Sequence, residues 1–425
     1  MQLTGKKTIS QALAVATCSL LSNVPQPSQA AQTDDAAWNF DISGLNYQES
    51  DDRIRVIEFD LKLKWAYNDD SALTAAFVSD SITGATPSGA TIPNDPGKSS
   101  QTSTTASGIV VSSDVGGDSG NYLDPLVEFV DRRNGLALDW EKTFARTIKT
   151  NIGASMSFED DYSSYGTSLL SAFDLNNRLT TLVVGAAVSW DFVSPKNGPP
   201  WNNDGLLKVG TSRVAFENGN KLIFDKMVGI TQVLNRRTIT QLTYTTGTSE
   251  GYLTDPYKVV TVLNDVTGNP DSYYYEKRPK SRARDSIYWE ISHQPKQRDV
   301  INISYRYYWD DWDITSHTLD FRYRFEFLNN QYLQPHIRYY RQSAANFFRP
   351  NLTEQDVKNL PQYVSSDYRL DKLSSTTIGL KYGLPLGKIG TFMIRIEKMM
   401  QRGSVGDFKD LNATILQAAI TLKFK

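Results

Sequence analysis

Apolar and charged residues alternate strictly within the 17-residue stretch Asp311 to Phe327, DWDITSHTLDFRYRFEF. From Leu319 to Phe327 every second residue is apolar, and the residues between them are Asp320, Arg322, Arg324 and Glu326. Only a β-strand has a period of two, so this stretch has one apolar face and one charged face. In a membrane barrel the apolar face meets lipid and the charged face lines the lumen, the reverse of a soluble sheet.

Segments of the same kind recur from Trp38 to Phe424. They are longer than soluble strands of about 5–6 residues and suit the roughly 9–11 tilted residues that cross an outer membrane. Tight turns rich in Asn, Asp and Gly follow the even-numbered segments, and longer loops follow the odd-numbered ones. The pattern predicts an all-β fold, a transmembrane antiparallel β-barrel of about 16 strands with short periplasmic turns and long extracellular loops.

The N-terminus has the pattern of a secretory signal peptide. Lys6 and Lys7 precede an apolar region, Ile9 to Leu21, and Ser28-Gln29-Ala30 forms a small-x-small cleavage site. An N-terminal membrane anchor fits less well, because a span needs about 20 apolar residues. A lipid anchor on Cys18 has a poor sequence context. We therefore expect residues 1–30 to be a signal peptide and residues 31–425 to form a single outer-membrane β-barrel domain.

One predicted loop is much longer than the others. Residues 84–132 are rich in Gly, Ser, Thr, Asp and Pro, which is typical of irregular connections. Connections of this length are usually functional or mobile. We expect this loop to fold over or into the barrel as a constriction or plug, so that deleting Ala90–Gly120 raises conductance.

Composition narrows the chemistry that is available. The single cysteine, Cys18, lies in the predicted signal peptide, so the mature chain should have no disulfide and no cysteine-based metal site. Lys and Arg number 45 against 47 Asp and Glu, which gives no electrostatic footprint for nucleic acid. The expected partners are outer-membrane lipid and lipopolysaccharide. Alternation up to Phe424 is similar to the signal read by barrel-assembly machinery, although Lys425 follows the aromatic residue. A homo-oligomer is compatible with this picture.

Several segments give the chain a specific resemblance. They include ESDDRIRVIEFDLKLKWAYNDDSALTAAFVSDSITGATPSGA and EDDYSSYG in the first half, and YYYEKRPKSRARDSIYWEISH, SYRYYWDDWDITSHTLDFRYRF and HIRYYRQSAANFF in the second. Together they resemble a family of Gram-negative proteins, domain of unknown function 3570, that is assigned to outer-membrane barrels. The resemblance spans the mature chain. It implies the barrel fold and the outer membrane of a Gram-negative bacterium, and it brings no reaction and no catalytic residues.

Strand parity predicts which charged side chains line the lumen. The basic candidates are Lys62, Lys64, Arg306, Arg322, Arg324, Arg338, Lys381 and Arg395, and the acidic candidates are Glu58, Asp60, Asp139, Glu141, Glu290, Asp320, Glu326 and Glu397. In a water-filled pore, segregated charges select solutes by size and sign. In a plugged barrel, the same residues pair and brace the wall. The sequence leaves both outcomes open.

Enzymatic chemistry has little support. The mature chain holds three histidines, His293, His317 and His336, and none has a serine in the arrangement that nucleophilic catalysis needs. Asp310, Asp311 and Asp313 gather at a predicted extracellular strand end and are weak candidates for a Ca²⁺ or Mg²⁺ site. We expect no catalytic residues and no cofactor.

The expected function is therefore a porin-like channel or transporter that passes a small solute across the outer membrane. Two alternatives remain open. One is a barrel enzyme, a lipase, deacylase or protease, acting at the extracellular rim. The other is a non-conducting barrel scaffold that binds a partner through its loops.

Overall fold

The chain folds around one closed sheet, which we describe from a computed structural model. The structure describes residues 37–424 except 52, 94–99, 105–109, 115–121, 196–199, 201–204, 211–218 and 407. The predicted signal peptide, residues 1–30, lies outside the described residues, as does most of the segment Ala90–Gly120.

In this described part, sixteen antiparallel strands form the closed barrel. In chain order they are β1 (Trp38–Glu49), β2 (Ile54–Asn68), β3 (Ser71–Pro87), β7 (Leu126–Phe144), β8 (Ile148–Phe158), β9 (Tyr162–Leu175), β10 (Thr180–Val193), β11 (Gly219–Asn235), β12 (Thr238–Gly251), β15 (Ser281–His293), β16 (Val300–Asp310), β17 (Thr315–Glu326), β18 (Tyr332–Gln342), β20 (Leu373–Pro385), β21 (Gly390–Arg402) and β22 (Asp410–Phe424). The sheet closes where β1 pairs with β22, with Trp38 opposite Phe424. The predicted fold class and strand number are confirmed.

Six short strands lie in the long connections between barrel strands. They are β4 (Ser100–Thr104), β5 (Val110–Asp114), β6 (Tyr122–Leu123), β13 (Val259–Leu263), β14 (Pro270–Tyr275) and β19 (Asn351–Thr353). The first three form one sheet and the last three form another, in the order β14–β13–β19. A single-turn helix α1 (Glu354–Lys358) follows β19, and 3₁₀ turns cover Asn176–Arg178, Leu328–Asn330 and Tyr368–Leu370. Among the described residues, no helix has the length and apolar character needed to cross a membrane.

The outer face of the barrel is apolar. Leu169 is 50% exposed and Ile378 is 52% exposed, whereas a soluble sheet would cover such side chains. Aromatic rings collect near both ends of the strands. Trp38 stacks on Trp65 with 5.2 Å between ring centroids near the short turns, and Phe158 contacts Tyr165 at 5.8 Å near the long connections. An apolar band between two aromatic girdles is the surface of a transmembrane barrel.

The predicted loop 84–132 is shorter at both ends than the sequence indicated. β3 continues through Pro87 and β7 begins at Leu126, and the two strands pair from Gly84 opposite Phe129 to Pro87 opposite Leu126. The residues Gly84-Ala85-Thr86-Pro87 have the composition of a turn. Cross-strand pairing nevertheless extends this hairpin, so the loop boundaries predicted at residues 84 and 132 are both wrong.

Apolar side chains also point inward, at the ends of β1, β2 and β22 that adjoin the long connections. Tyr47, Ile54, Val56, Leu411 and Ala413 belong to one buried cluster there. Such a cluster requires packing within the mouth of the barrel, because apolar side chains facing a water-filled lumen would be exposed. The barrel therefore narrows at this end.

Candidate functional site

The alternating residues of β17 place charged side chains on the inner wall of the barrel. Leu319 is 50% exposed and Phe321 38% exposed on the outer face. Between them, Asp320 and Arg322 face the other way and join with a separation of 3.0 Å between Arg322 Nε and Asp320 Oδ1. These side chains point inward, as the alternation in the sequence predicted. That they line a route taken by solute stays a prediction.

His336 on β18 connects two carboxylates of this wall. Its Nε2 lies 2.8 Å from Asp320 Oδ2, and its Nδ1 lies 2.7 Å from Glu397 Oε1. An ionised carboxylate only accepts hydrogen bonds, so this arrangement suits an imidazolium that donates from both nitrogens. We call Asp320, Arg322, His336, Arg395 and Glu397 the His336 cluster.

Cross-strand register explains how the His336 cluster assembles. His336 pairs with Gly379 on β20, and Gly379 pairs with Glu397 on β21. The side chain of Glu397 crosses the space above Gly379, where an added Cβ would lie 2.5 Å from Glu397 Cγ. A glycine inside a strand often marks a place where another group approaches closely. Gly379 allows two carboxylates from separate strands to share one histidine.

A second group lies nearer the short turns and contains Arg324, Tyr332 and Lys381. The guanidinium carbon of Arg324 lies 3.9 Å from the centroid of the Tyr332 ring, and Lys381 Nζ lies 5.8 Å from the same centroid. The Tyr332 ring extends over Gly383, where an added Cβ would lie 2.0 Å from a ring carbon. We call these three residues the Tyr332 group. Both cations therefore border one aromatic ring held flat against the wall.

The facing part of the wall, on β2, β3, β7 and β8, is richer in carboxylates. Arg133 Nε donates to Asp80 Oδ2 over 2.6 Å, and a guanidinium nitrogen of Arg133 lies 3.9 Å from Glu58. Glu141 receives Lys64 Nζ at 3.3 Å and Lys149 Nζ at 3.0 Å. Opposite charges pair here, as the bracing interpretation predicts.

The remaining sequence candidates lie outside both groups. Tyr288 Oη donates to Glu290 over 2.5 Å, and Arg306 lies 6.0 Å from the Tyr308 ring centroid. Ser43 Oγ donates to Asp60 over 2.9 Å. On the facing part of the wall, Lys62 lies near Asp139. Next to the two groups, Glu326 lies 4.0 Å from Arg324, and Arg338 is opposite Asp320 in the strand register.

The long connections form a second buried site, which we call the loop cap. It consists of the sheet β14–β13–β19 with residues 252–280 and 343–372. Arg278 donates to Asp367 over 2.9 Å and its Nε lies 2.7 Å from Glu276, while Arg369 also binds Asp367. Lys258 donates to the carbonyl of Pro87, at the end of β3. A charged network with this little exposure requires mutual neutralisation.

Burial and charge shift the pKa values in the loop cap in opposite directions. Burial alone would raise the pKa of Asp367, but Arg369 and Lys258 outweigh it and hold that pKa well below its usual range. Burial raises the pKa of Glu276 despite the nearby Arg278. Burial lowers the pKa of Lys258. Asp367 is therefore the anionic centre of the network.

The loop cap joins connections from different sides of the barrel mouth. Tyr257 Oη donates to Asp161 in the β8–β9 connection over 2.5 Å, and Thr91 Oγ1 in the β3–β7 connection donates to Asn351 over 2.5 Å. The Arg53 guanidinium, between β1 and β2, lies 5.6 Å from the Tyr368 ring centroid. These contacts place folded chain across the mouth at the end away from the short turns.

The three aspartates suggested as a metal site do not come together. Asp310 binds Arg282 at 2.5 Å and accepts hydrogen bonds from the backbone N–H groups of Trp312 and Ile314. Asp313 instead accepts from Asn346 over 3.1 Å. In the described ranges, no group of three or more His, Asp or Glu side chains could hold a metal ion. The prediction of a site at Asp310, Asp311 and Asp313 therefore finds no support in the geometry.

The other histidines are also engaged with neighbours. His293 Nδ1 lies 2.9 Å from Thr238 Oγ1, and His317 Nδ1 lies 2.7 Å from Tyr305 Oη. His317 also lies against the Tyr307 ring, at 5.0 Å between centroids. His336 has a carboxylate at each ring nitrogen. Each imidazole thus has an observed role in the packing of the wall or the girdle.

Sequence reasoning missed Tyr332, Gly379, Gly383 and the loop cap. Tyr332 and the two glycines share the inward parity of Lys381, but the sequence alone does not show which residues are opposite one another. The run Tyr273-Tyr274-Tyr275 is buried throughout, so it lacks the alternation that would mark a strand. Its signal was three adjacent aromatic residues inside a predicted loop.

Comparison with known proteins gives a family and a set of barrels. The profile of a family described as a protein of unknown function, DUF3570, matches residues 10–420. No curated protein matches the chain. Solved structures at 8% identity include the CymD monoaromatic hydrocarbon channel, with 92% of this chain and 89% of that chain covered and a TM-score of 0.39. A bacterial polysaccharide outer membrane secretin, with 92% and 99% covered at the same 8% identity, has a TM-score of 0.46.

A further solved structure, Pseudomonas aeruginosa OccK2 (OpdF) in complex with glucuronate, also has 8% identity, covers 92% of this chain and 99% of that chain, and has a TM-score of 0.41. TM-scores this low give no argument about what this chain binds. The barrel itself and its inner wall are the features that bear on function.

Proposed function

The chain belongs to the DUF3570 family, and we propose that it is a porin-like channel or transporter in the outer membrane of a Gram-negative bacterium, passing a small polar solute. One observation carries the proposal. The closed sheet has sixteen strands in the described part of the chain, an apolar exterior and a charged inner wall. Barrels of about 16–18 strands are wide enough to leave an aqueous channel.

The partial exposure of the inner cations supports a solvated lumen near the short turns. The side chain of Arg322 is 46% exposed and that of Arg324 is 42% exposed. Exposure of this size within a barrel means that water reaches the guanidinium groups. A barrel braced throughout by buried ion pairs would cover them.

The loop cap supports restricted rather than free passage. Its contacts cross the mouth of the barrel, and its charged network is almost fully buried. A solute approaching from that side would meet folded chain before it reached Arg322 or Arg324. We therefore propose that passage requires movement of the cap, which distinguishes this barrel from a permanently open pore.

A scaffold that binds a partner through its loops is the second candidate, and the loop cap is the observation that favours it. A cap that never opens would make the barrel non-conducting. A channel and a scaffold should differ in the current that they pass across a bilayer. A channel gives discrete current steps, whereas a sealed scaffold inserts and stays silent.

Single-channel recording of the refolded mature protein in a planar bilayer tests the proposal. Current steps that change with Arg322→Ala or Arg324→Ala support passage through the lumen. Insertion must be shown separately by heat-modifiable migration on a gel. Inserted protein that gives no current under any voltage would overturn the channel and favour the scaffold.

A further inference from the structure

We propose that the Tyr332 group, Arg324, Tyr332 and Lys381, is a binding site on the inner wall for a small anion with carboxylate or phosphate oxygens. The inference rests on the proposed function, since it assumes that solute reaches the inner wall. It goes further by assigning a charge sign and a place of binding.

The carboxylates next to the site are already neutralised by other cations. In the His336 cluster, Asp320 is shared by Arg322 and His336, and Glu397 is shared by Arg395, at 3.6 Å, and His336. Both carboxylates thus already have cationic partners. They have little left to offer the neighbouring Arg324 and Lys381.

Arg324 and Lys381 have few carboxylates near them. Arg324 reaches Glu326 only at 4.0 Å. Among the described residues, no carboxylate lies within the 4.0 Å ion-pair distance of Lys381 Nζ. Arg322, Arg324, Arg338, Lys381 and Arg395 outnumber Asp320, Glu326 and Glu397 on the inner faces of β17, β18, β20 and β21. This part of the wall therefore has an excess of positive charge.

The guanidinium plane of Arg324 is oriented by the Tyr332 ring. Arg324 Nε has no hydrogen-bond partner in the described structure, so stacking on Tyr332 rather than a bidentate ion pair fixes the guanidinium plane. The side chain is 42% exposed, and the forked N–H donors of a guanidinium match carboxylate or phosphate oxygens. Lys381 adds a second charge at the edge of the same ring.

The Tyr332 ring is packed firmly against the wall. Tyr332 is only 8% exposed and lies over Gly383. Because no Cβ occupies the space at Gly383, the ring lies flat, with the Arg324 guanidinium stacked on it and Lys381 Nζ 5.8 Å from its centroid. A preorganised pair of cations binds an anion with less loss of side-chain entropy than two mobile side chains would. The site thus has the features of a built anion site rather than a solvated charged surface.

Calorimetric titration of the full-length mature protein in nanodiscs tests this site without requiring current. The probes are succinate and inorganic phosphate, with succinamide as the uncharged analogue of succinate. We expect succinate or phosphate to bind and succinamide not to bind. Lys381→Gln and Arg324→Gln should each weaken binding by about tenfold, the size expected for loss of one charge-assisted contact.

Three variants serve as controls. Lys62→Gln removes an inner cation from the facing wall and should leave affinity unchanged. Gly383→Ala forces Tyr332 to move and should weaken binding while every charge is retained. Gly44→Ala is the control for the glycine-to-alanine change itself: Gly44 lies opposite Phe59 on the outer face of β1, and a Cβ there meets only a carbonyl oxygen at 3.9 Å. All variants are first checked for heat-modifiable folding.

The outcomes separate this inference from the proposed function. Absence of binding for both anions, or binding that Lys381→Gln and Lys62→Gln weaken equally, overturns the site even if the protein conducts. Binding that depends on Lys381 in a protein that stays silent in the bilayer supports the site and overturns passage. Whether succinate or phosphate binds more tightly identifies the anion class.

Discussion

Arg278 and Asp367 lie in different long connections, and a guanidinium nitrogen of Arg278 donates to the carboxylate of Asp367 over 2.9 Å. Arg278 follows β14, whereas Asp367 lies between β19 and β20. Arg369 binds the same carboxylate. One aspartate therefore holds two loops together above the barrel.

Asp367→Asn should loosen the loop cap without unfolding the barrel. The substitution leaves Arg278 and Arg369 without their shared anion, and breaking a buried pair in this way costs about 3–5 kcal/mol. We expect faster hydrogen exchange in residues 252–280 and 343–372, with protection in β17 and β18 unchanged. Asp271→Asn is the control, because Asp271 is exposed on the same small sheet. Equal exchange in both variants would show that the network does not hold the cap.

The loop cap should stay closed under mildly acidic conditions. The pKa of Asp367 is held well below its usual range because Arg369 and Lys258 outweigh burial, so its stabilising contribution is present above the unfolded pKa of about 3.9 and is lost only at lower pH. The pKa of Glu276 is raised by burial, so its protonation on acidification favours the folded cap. We expect exchange rates in residues 252–280, corrected for intrinsic chemistry, to show no opening between about pH 7 and 5. Marked opening by pH 5 would contradict this assignment.

A disulfide between Thr91→Cys and Asn351→Cys should reduce current by fixing two connections together. The two side chains are joined by a 2.5 Å hydrogen bond in the wild-type structure, and the one natural cysteine, Cys18, lies in the predicted signal peptide. If passage requires the cap to open, oxidation should lower the open probability and a reductant should restore it. Each single-cysteine variant is the control and should not respond. Unchanged current in the oxidised double variant would show that passage does not require these loops to separate.

Glu141→Gln should shift ion selectivity toward anions, the opposite direction to Lys381→Gln. Glu141 neutralises both Lys64 and Lys149 on the facing wall, so its loss leaves two inner cations unpaired. A unit charge in water-like surroundings contributes about 1 kcal/mol at 4 Å, enough for a several-fold change in local ion concentration. Reversal potentials in asymmetric KCl measure the shift. Identical potentials for the two variants would mean that ions do not pass along this wall.

How much of this could be read from the sequence depends on the range of each interaction. The alternation of apolar and charged residues is a local pattern. The inward direction of the Arg322 and Arg324 side chains could therefore be predicted from the residues beside them. The contact between His336 and Glu397 depends on β18, β20 and β21 being in one particular register, with Gly379 between. A period of two excludes a slip of one residue between strands but not a slip of two, so it does not specify that register. The sheet β14–β13–β19 was missed for another reason, because β13 and β14 are buried along nearly their whole length and therefore do not alternate.

Leu61→Arg should destabilise the barrel far more than Lys62→Leu, although the two positions are adjacent near the centre of β2. Leu61 is 36% exposed on the outer face, and Lys62 faces the interior. An arginine on the lipid face costs about 2–4 kcal/mol at the bilayer midplane, whereas Lys62 makes no ion pair within 4.0 Å among the described residues. Urea unfolding in lipid vesicles, followed by tryptophan fluorescence, measures both variants. If Lys62→Leu were the more destabilising change, the inward and outward faces of β2 would have to be exchanged, and with them the inner wall on which the channel and its anion site depend.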